Sequence, residues 1–397
     1  MEVVPRKRRP YSTLEKLEMK KTLVAIAAIA SVSAFAQTSV KIEGYFDRGY
    51  VKTDNTNNLK DSKAIGSNAG TTSVRFLATE DLGGGLSATA LFGADFADLA
   101  GANQDATATT ASSIQTGGFN NAQSYLEIKS NAVGSLRLGV VNNEILTVAT
   151  GGIASPAFST GVGSAYSSSW STHSGYGTGV TGSAGIVAAS VESATNGGAR
   201  GIRQANTIKY ISPNISGFTF AYAMAPKNDS ASASGTVDTV GVQDMSARYT
   251  NGPLDVMFAQ LKYDVGSTVL TNGALTANTK NTHTLTGASY QVMPTLKLHA
   301  GFGASTVDTA ALGNSSTNQY GVTWNATPAI DVMYLTAAVN DKNSANYDRK
   351  MTGFGADYKL SKTTRAYFRM DSLTLNTNTV SSGSEIKRSA FGVSTSF

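Results

Sequence analysis

Arg388–Phe397 reads RSAFGVSTSF, and these ten residues organise the reading of the whole chain. Side chains alternate across a strand, so Phe391, Val393, Thr395 and Phe397 point one way while Ala390, Gly392, Ser394 and Ser396 point the other. One face is apolar, the other small or polar. A phenylalanine at the end of the chain sits where chains ordinarily fray, so a neighbouring strand must pair with it and something must cover the ring. A closed barrel in a bilayer does both. An edge strand of a soluble sandwich reads the same over ten residues, and the remaining sequence separates the two.

The chain has 397 residues, 41% hydrophobic and only 15% charged, with 40 Gly, 8 Pro and no Cys. That balance is too uniform and too rich in Gly, Ser and Thr for an α/β enzyme, yet long enough for a large β structure. Without cysteine, neither a disulfide framework nor a thiolate metal site is available. From Met19 the sequence MKKTLVAIAAIASVSAFAQ has two lysines, an apolar run over 23–30 and Ala34-Phe35-Ala36, the pattern of a secretory signal cleaved after Ala36. The run is too short for a spanning helix. The expected organisation is therefore residues 1–36 as an upstream extension plus signal peptide (the signal proper being 19–36) and 37–397 as one β-barrel. The leader carries Arg6, Lys7, Arg8, Arg9, Lys16, Lys20 and Lys21 against Glu2, Glu15 and Glu18, so the +5 formal charge falls close to neutral once it is removed. The basic run at Arg6–Arg9 goes with it, and no nucleic-acid partner is expected.

After Ala36 the pattern has period two almost throughout, which predicts sixteen antiparallel strands and no long amphipathic helix. Short turns with turn chemistry, such as Asp81–Gly85, Asn251-Gly252 and Thr327-Pro328, alternate with long polar connections. Short turns at one rim and long loops at the other describe a transmembrane antiparallel β-barrel of the bacterial outer membrane. Phe218, Phe220, Tyr222, Tyr320, Trp324, Phe354, Tyr358 and Phe397 fall on the apolar faces near strand ends, as interfacial girdles require. The longest connection, the third long loop at 143–203, is Gly/Ser/Thr-rich and holds the apolar patch Ile145–Ala149. Part of it is expected to fold into the lumen.

The motifs Gly44-x-x-Asp47-x-Gly49, Arg75-Phe76-x-x-Thr79-Glu80-Asp81-Leu82-Gly83-Gly84-Gly85-Leu86, Gly134-x-x-Arg137-Leu138-Gly139, Asn206-x-Ile208-x-Tyr210-x-Ser212-Pro213 leading to Gly217-Phe218, and terminal Phe397 span the mature chain. With them the chain resembles the general trimeric porins of Gram-negative bacteria, beta-proteobacterial type. The resemblance implies sixteen strands, a homotrimer, the inward third loop as a constriction, and an assembly signal at Phe397 with Phe391 and Val393, read by the barrel assembly machinery. It also implies outer-membrane lipid around the barrel and passive diffusion of small hydrophilic solutes, among which the inward arginines, opposite a weakly acidic loop, are expected to favour small anions. Two departures stand out. Tyr45-Phe46 replaces small or β-branched residues, and the loop has few carboxylates, Glu144 and Glu192, which argues against cation selectivity.

Alternation assigns the charged residues to faces. With Val74, Phe76 and Ala78 toward lipid, Arg75 and Thr79 face the lumen, and the same test sends Arg137, Arg203, Lys209, Arg248, Lys297, Arg365 and Arg369 inward, with Glu43, Tyr45 and Asp47 on the first strand. A charge on the lipid face near the midplane costs roughly 2–4 kcal/mol. Lumen charges serve either to solvate the wall or to select ions; Arg75, with Arg137 and Arg203 beside it, is the expected selectivity cluster. No cofactor or metal is expected: His173, His283 and His299 lie far apart, and no HExxH, G-x-S-x-G or Walker A string occurs. The chance match Gly177-x-Gly179-x-x-Gly182 follows no strand and precedes no helix. A mainly adhesive or structural barrel, and a barrel hydrolase built on a serine and one histidine, remain as alternative readings.

Overall fold

The sheet closes at Phe397. Its N–H donates to the Gly44 carbonyl at 3.0 Å, and its own carbonyl accepts from the Gly44 N–H at 2.9 Å. The ring lies so close over Gly44 that a methyl group there would collide with it. The computed structural model describes residues 38–55, 58–96, 122–156, 203–226, 241–265, 279–307, 315–342, 348–376 and 384–397. The expected leader, Gln37 and residues 157–202 of the long connection lie outside them.

Seventeen strands are described: β1 (Ser39–Asn55), β2 (Asn58–Gly66), β3 (Ser73–Gly83), β4 (Leu86–Asp95), β5 (Ser124–Ser130), β6 (Gly134–Asn142), β7 (Arg203–Ile211), β8 (Phe218–Ala225), β9 (Gly241–Asn251), β10 (Leu254–Val265), β11 (Thr279–Met293), β12 (Leu296–Val307), β13 (Ser315–Thr327), β14 (Ile330–Asp341), β15 (Asp348–Lys359), β16 (Thr364–Asn376) and β17 (Ser384–Ser396). Sixteen form a closed antiparallel barrel, each pairing with its neighbours in sequence from β3 to β17 and closing through β1. β1 does this in two halves. Ser39–Tyr45 pair with β3, and Tyr45–Asn55 pair with β17. The freed edge over Gly49–Asn55 is taken by β2, which sequence reading did not expect. NLKDSKAIG has no alternating apolar face; backbone pairing to β1 makes it a strand, not side-chain burial.

A two-residue turn joins β3 to β4. Gly83, Gly84 and Gly85 all have positive φ (79°, 62° and 80°), a path that side chains disfavour, and Asp81 Oδ1 accepts the Gly83 N–H at 2.9 Å. Alternation then sorts the wall. Phe76, Leu126, Leu138, Ile208, Phe258, Leu298, Phe368, Phe391 and Val393 are exposed on the outside, and so are the expected girdle aromatics Phe218, Phe220, Tyr222, Tyr320, Trp324, Tyr358 and Phe397. Phe354 is half-buried and tilts against Phe368. A soluble protein would bury this set; a bilayer covers it. The buried apolar cluster is instead inside the barrel, under one short helix, α1 (Glu144–Thr150).

Candidate functional site

The chain leaves β6 at Asn142 and turns inward. The Asn143 side chain makes no capping bond, so the first amide of α1 finds its acceptor on the wall: Asp244 of β9 takes the Glu144 N–H at 2.7 Å. The Glu144 carboxylate ion-pairs with Lys209 of β7 and accepts the Ser246 hydroxyl at 2.9 Å. Lys209 also donates to the Asn142 carbonyl at 2.8 Å. Past the helix, Lys297 donates to the Gly152 carbonyl at 3.1 Å, His299 Nδ1 lies 3.2 Å from the Ile153 carbonyl, and Gln319 donates to the Ala154 carbonyl at 2.7 Å. Every described turn of this segment is thus tied to the strands beneath it.

Its apolar side is seated as firmly. Ile145, Val148, Ala149, Ile153 and Ala154 pack on Ala225, Val242, Met257, Ala259, Leu261 and Leu285, alternate positions to the outward Phe258 and therefore on the inner face. The seat is shaped by missing side chains: a methyl on Gly287 would stand 2.7 Å from Val148, one on Gly301 2.8 Å from Ala154, and one on Gly321 would strike Pro156. The patch Ile145–Ala149, noted in sequence, finds its partner here.

Opposite β9–β13 in a ring of sixteen stand β17, β1, β3, β4 and β5. That wall and its neighbours β15 and β16 carry a charged network. Asp357 accepts Arg365 at 3.0 Å and Arg369 at 2.6 Å, while Asp371 holds Arg388 through two bonds at 2.9 and 2.5 Å. Arg365 also reaches Ser394 and the Tyr45 hydroxyl, at 3.1 and 3.2 Å. The Tyr367 hydroxyl donates to Asp47 Oδ1 at 2.6 Å, and Asp47 Oδ2 collects the N–H groups of Asn68, Ala69 and Gly70 at 2.8, 2.6 and 3.0 Å. Asp47 therefore pins the turn after β2 to the wall.

These contacts correct the sequence expectation in three ways. Asp47, Lys209 and Arg369 are fully buried, so they hold the wall and the inward segment together and do not line water. Arg137 and Arg203, expected to be largely uncompensated, are paired: Arg137 bonds Glu127 at 2.5 Å and lies over the Tyr125 ring, and Arg203 meets Asp95 at 3.2 Å and Asn142 at 3.0 Å. Arg203 also cannot be placed by parity from Ile208, because β7 carries an extra residue at Asn206 (φ 55°) opposite Gly139–Val141. Arg248 pairs with Asp255 and Glu43 with Lys41, at 2.6 Å each. Arg75 differs from all of these. It faces inward on β3, next to Gly93 and directly across from Glu43 of β1, and among the described residues it makes no ion pair, while its Nε is buried without a hydrogen bond. Sequence reading missed Asp357, Asp371, Tyr367 and Arg388, although the same alternation places all four inside.

His283 Nδ1 lies 3.0 Å from Ser305 Oγ, the nearest approach to the serine–histidine pair of the hydrolase alternative, but both residues are fully buried and out of a substrate's reach. Among the described residues no cluster of metal-ligating groups forms.

The family model for Gram-negative porins matches residues 22–378. The chain belongs to the Gram-negative porin family. Among solved structures it is similar to the anion-selective porin from Comamonas acidovorans, with a TM-score of 0.66 at 21% identity, covering 91% of this chain and 100% of that one. It is also similar to Salmonella typhi OmpF solved with daunomycin (TM-score 0.58, 13% identity, 90% and 97% covered). The trimer form of Vibrio cholerae OmpT gives a TM-score of 0.56 at 13% identity, with 91% and 99% covered. A comparison with curated proteins found no match. This porin is thus a multi-pass channel protein of the bacterial outer membrane, of a family and fold that are not enzymatic.

Proposed function

We propose that this porin is a homotrimeric, passive diffusion channel for ions and small hydrophilic solutes, that it prefers anions, and that Arg75 is its selectivity cation. Residues 143–203 form the constriction in this reading, with Arg137 and Arg203 as neighbours that position charge without supplying much of it. The observation that carries it is the contrast between Arg75, which makes no ion pair among the described residues because its cross-strand neighbour Glu43 is engaged by Lys41, and the paired cations around it. β3 stands across the ring from β11, where the inward segment is seated, so the narrowed lumen lies between them. The anion-selective porin of Comamonas acidovorans has the same fold, and OmpT of Vibrio cholerae is described as a trimer; both lend support.

The size of the effect follows from Coulomb's law. An ion passing about 8 Å from the guanidinium in water gains or loses about 0.5 kcal/mol according to its sign. The anion–cation difference of about 1 kcal/mol corresponds to roughly a fivefold permeability ratio. The test is reversal potential in planar bilayers under a salt gradient. Arg75→Ser should move it toward cations, more at 0.01 M salt, where the Debye length is roughly 30 Å, than at 1 M, where it is about 3 Å. Equal reversal potentials for variant and parent at low salt remove Arg75 from the role. Absence of ion conductance in the parent protein would instead favour the adhesive or structural reading.

A further inference from the structure

Strands β10–β14 carry on their outer surface a groove of about 470 Å³. Register explains its shape. Tyr290, Leu298, Val322 and Tyr334 are directly paired across four strands and form one row; Ala288, Ala300 and Tyr320 form the next row. The paired alanines leave a trough, walled by Tyr290 and Leu298 below and by Tyr320 beyond. Ala300 lies four residues past Leu296, where β12 begins, which at about 3.3 Å per residue and a tilt near 45° puts the trough roughly 10 Å above the short-turn rim. In this family of barrels the short turns are periplasmic. The groove therefore opens into the hydrocarbon of the periplasmic leaflet and is continuous with the lipid-facing belt.

We propose that this groove seats one acyl chain of a periplasmic-leaflet glycerophospholipid, held as a resident lipid on each barrel. Three features commit the occupant. The volume is on the scale of a single acyl chain and far too small for a whole phospholipid. The lining is apolar apart from tyrosine hydroxyls, Thr336 at its edge, and Ser289 and His299, both buried, so the open face of the groove offers water and polar solutes little to bind. The Tyr290 hydroxyl, three residues above the turn, has no hydrogen-bond partner among the described residues and lies near the depth of a phospholipid's ester carbonyls. A chain in the trough with its glycerol ester at Tyr290 satisfies both the apolar floor and the stranded donor. The inference rests on family membership and bilayer placement, not on ion selectivity, so its failure leaves the channel proposal untouched.

The test is native mass spectrometry of the full assembly, washed in detergent and then supplied with a phosphatidylethanolamine bearing sixteen- and eighteen-carbon chains. One lipid per protomer is expected in the parent. Filling the trough with Ala288→Leu and Ala300→Leu together should lower that occupancy at least tenfold, whereas Ala247→Leu, outward but away from the groove, should not change it. Equal occupancy in the double variant overturns the proposal. So does retention of lipid A alone, or loss of the oligomer on filling the trough, which would assign the groove to a second copy. If the double variant does not fold into a barrel at all, Trp324 reports on the parent groove, since it pairs with Leu296 one row below. In a Trp170→Phe protein loaded with acyl-brominated phosphatidylethanolamine and mixed into unlabelled vesicles, a resident chain keeps Trp324 quenched for minutes. Immediate full recovery refutes it.

Discussion

Replacing Lys209 by methionine should loosen the inward helix without expelling it. Lys209 is the cation facing two buried carboxylates: it ion-pairs with Glu144, whose own amide is capped by Asp244, and all three side chains are almost entirely out of solvent. Removing one partner from such a set costs about 3–5 kcal/mol, because the remaining charge stays buried without compensation. Against that stands the apolar seat. Ile145, Val148 and Ile153 are each fully buried, and at ~1.5–3 kcal/mol per side chain they hold the segment by roughly 5–9 kcal/mol. The seat is larger than the loss, so the helix stays down most of the time and mean conductance changes little. The open population is what rises, by about one hundred- to a few thousand-fold at 1.4 kcal/mol per decade. The chain has no cysteine, so Ile153→Cys supplies a single buried reporter. When opening is fast relative to labelling, the rate of thiol modification tracks the open population. Labelling in the Lys209→Met background within threefold of that in the Lys209 parent would refute the electrostatic account of the latch.

Further expectations follow from single contacts. Gly301→Val should unseat the segment near Ala154, which a Cβ would approach to 2.8 Å, and should broaden single-channel conductance; an unchanged conductance histogram would show that the inner seat does not hold the loop. Deleting Phe397 removes both hydrogen bonds to Gly44 and the ring over it, so the yield of heat-modifiable oligomer should fall, and an undiminished yield would count against closure by the terminal residue. Asp47→Ala strands the Asn68, Ala69 and Gly70 amides and the Tyr367 hydroxyl, and should expose the chain after β2 to protease at equal barrel stability; equal cleavage would dismiss the anchor. Amino-terminal sequencing of outer-membrane protein should begin at Gln37, and recovery of residues 1–18 would sink the leader reading.

Period-two alternation was enough to place all sixteen wall strands and to send Arg75, Arg137, Lys209, Arg248, Arg365 and Arg369 inside, because side-chain direction in a regular strand is a local property of the backbone. It failed where the backbone is not regular. The extra residue at Asn206 breaks the parity that carried the reading from Ile208 to Arg203, and β2 has no apolar face to announce it. What each lumen charge does was not legible either. Arg137 and Glu127 meet across a short turn, but Asp47 and Tyr367 are 320 residues apart, and Glu144 finds Ser246 from 102 residues away. Such partners are set by which strands close the ring and at what register, and register depends on every pairing between them. The sequence alone therefore determined the faces of the wall. The closed barrel decided which of its cations would be neutralised and which, like Arg75, would face the lumen with no ion pair among the described residues, since a charge is compensated only by what the fold brings within a few ångströms of it.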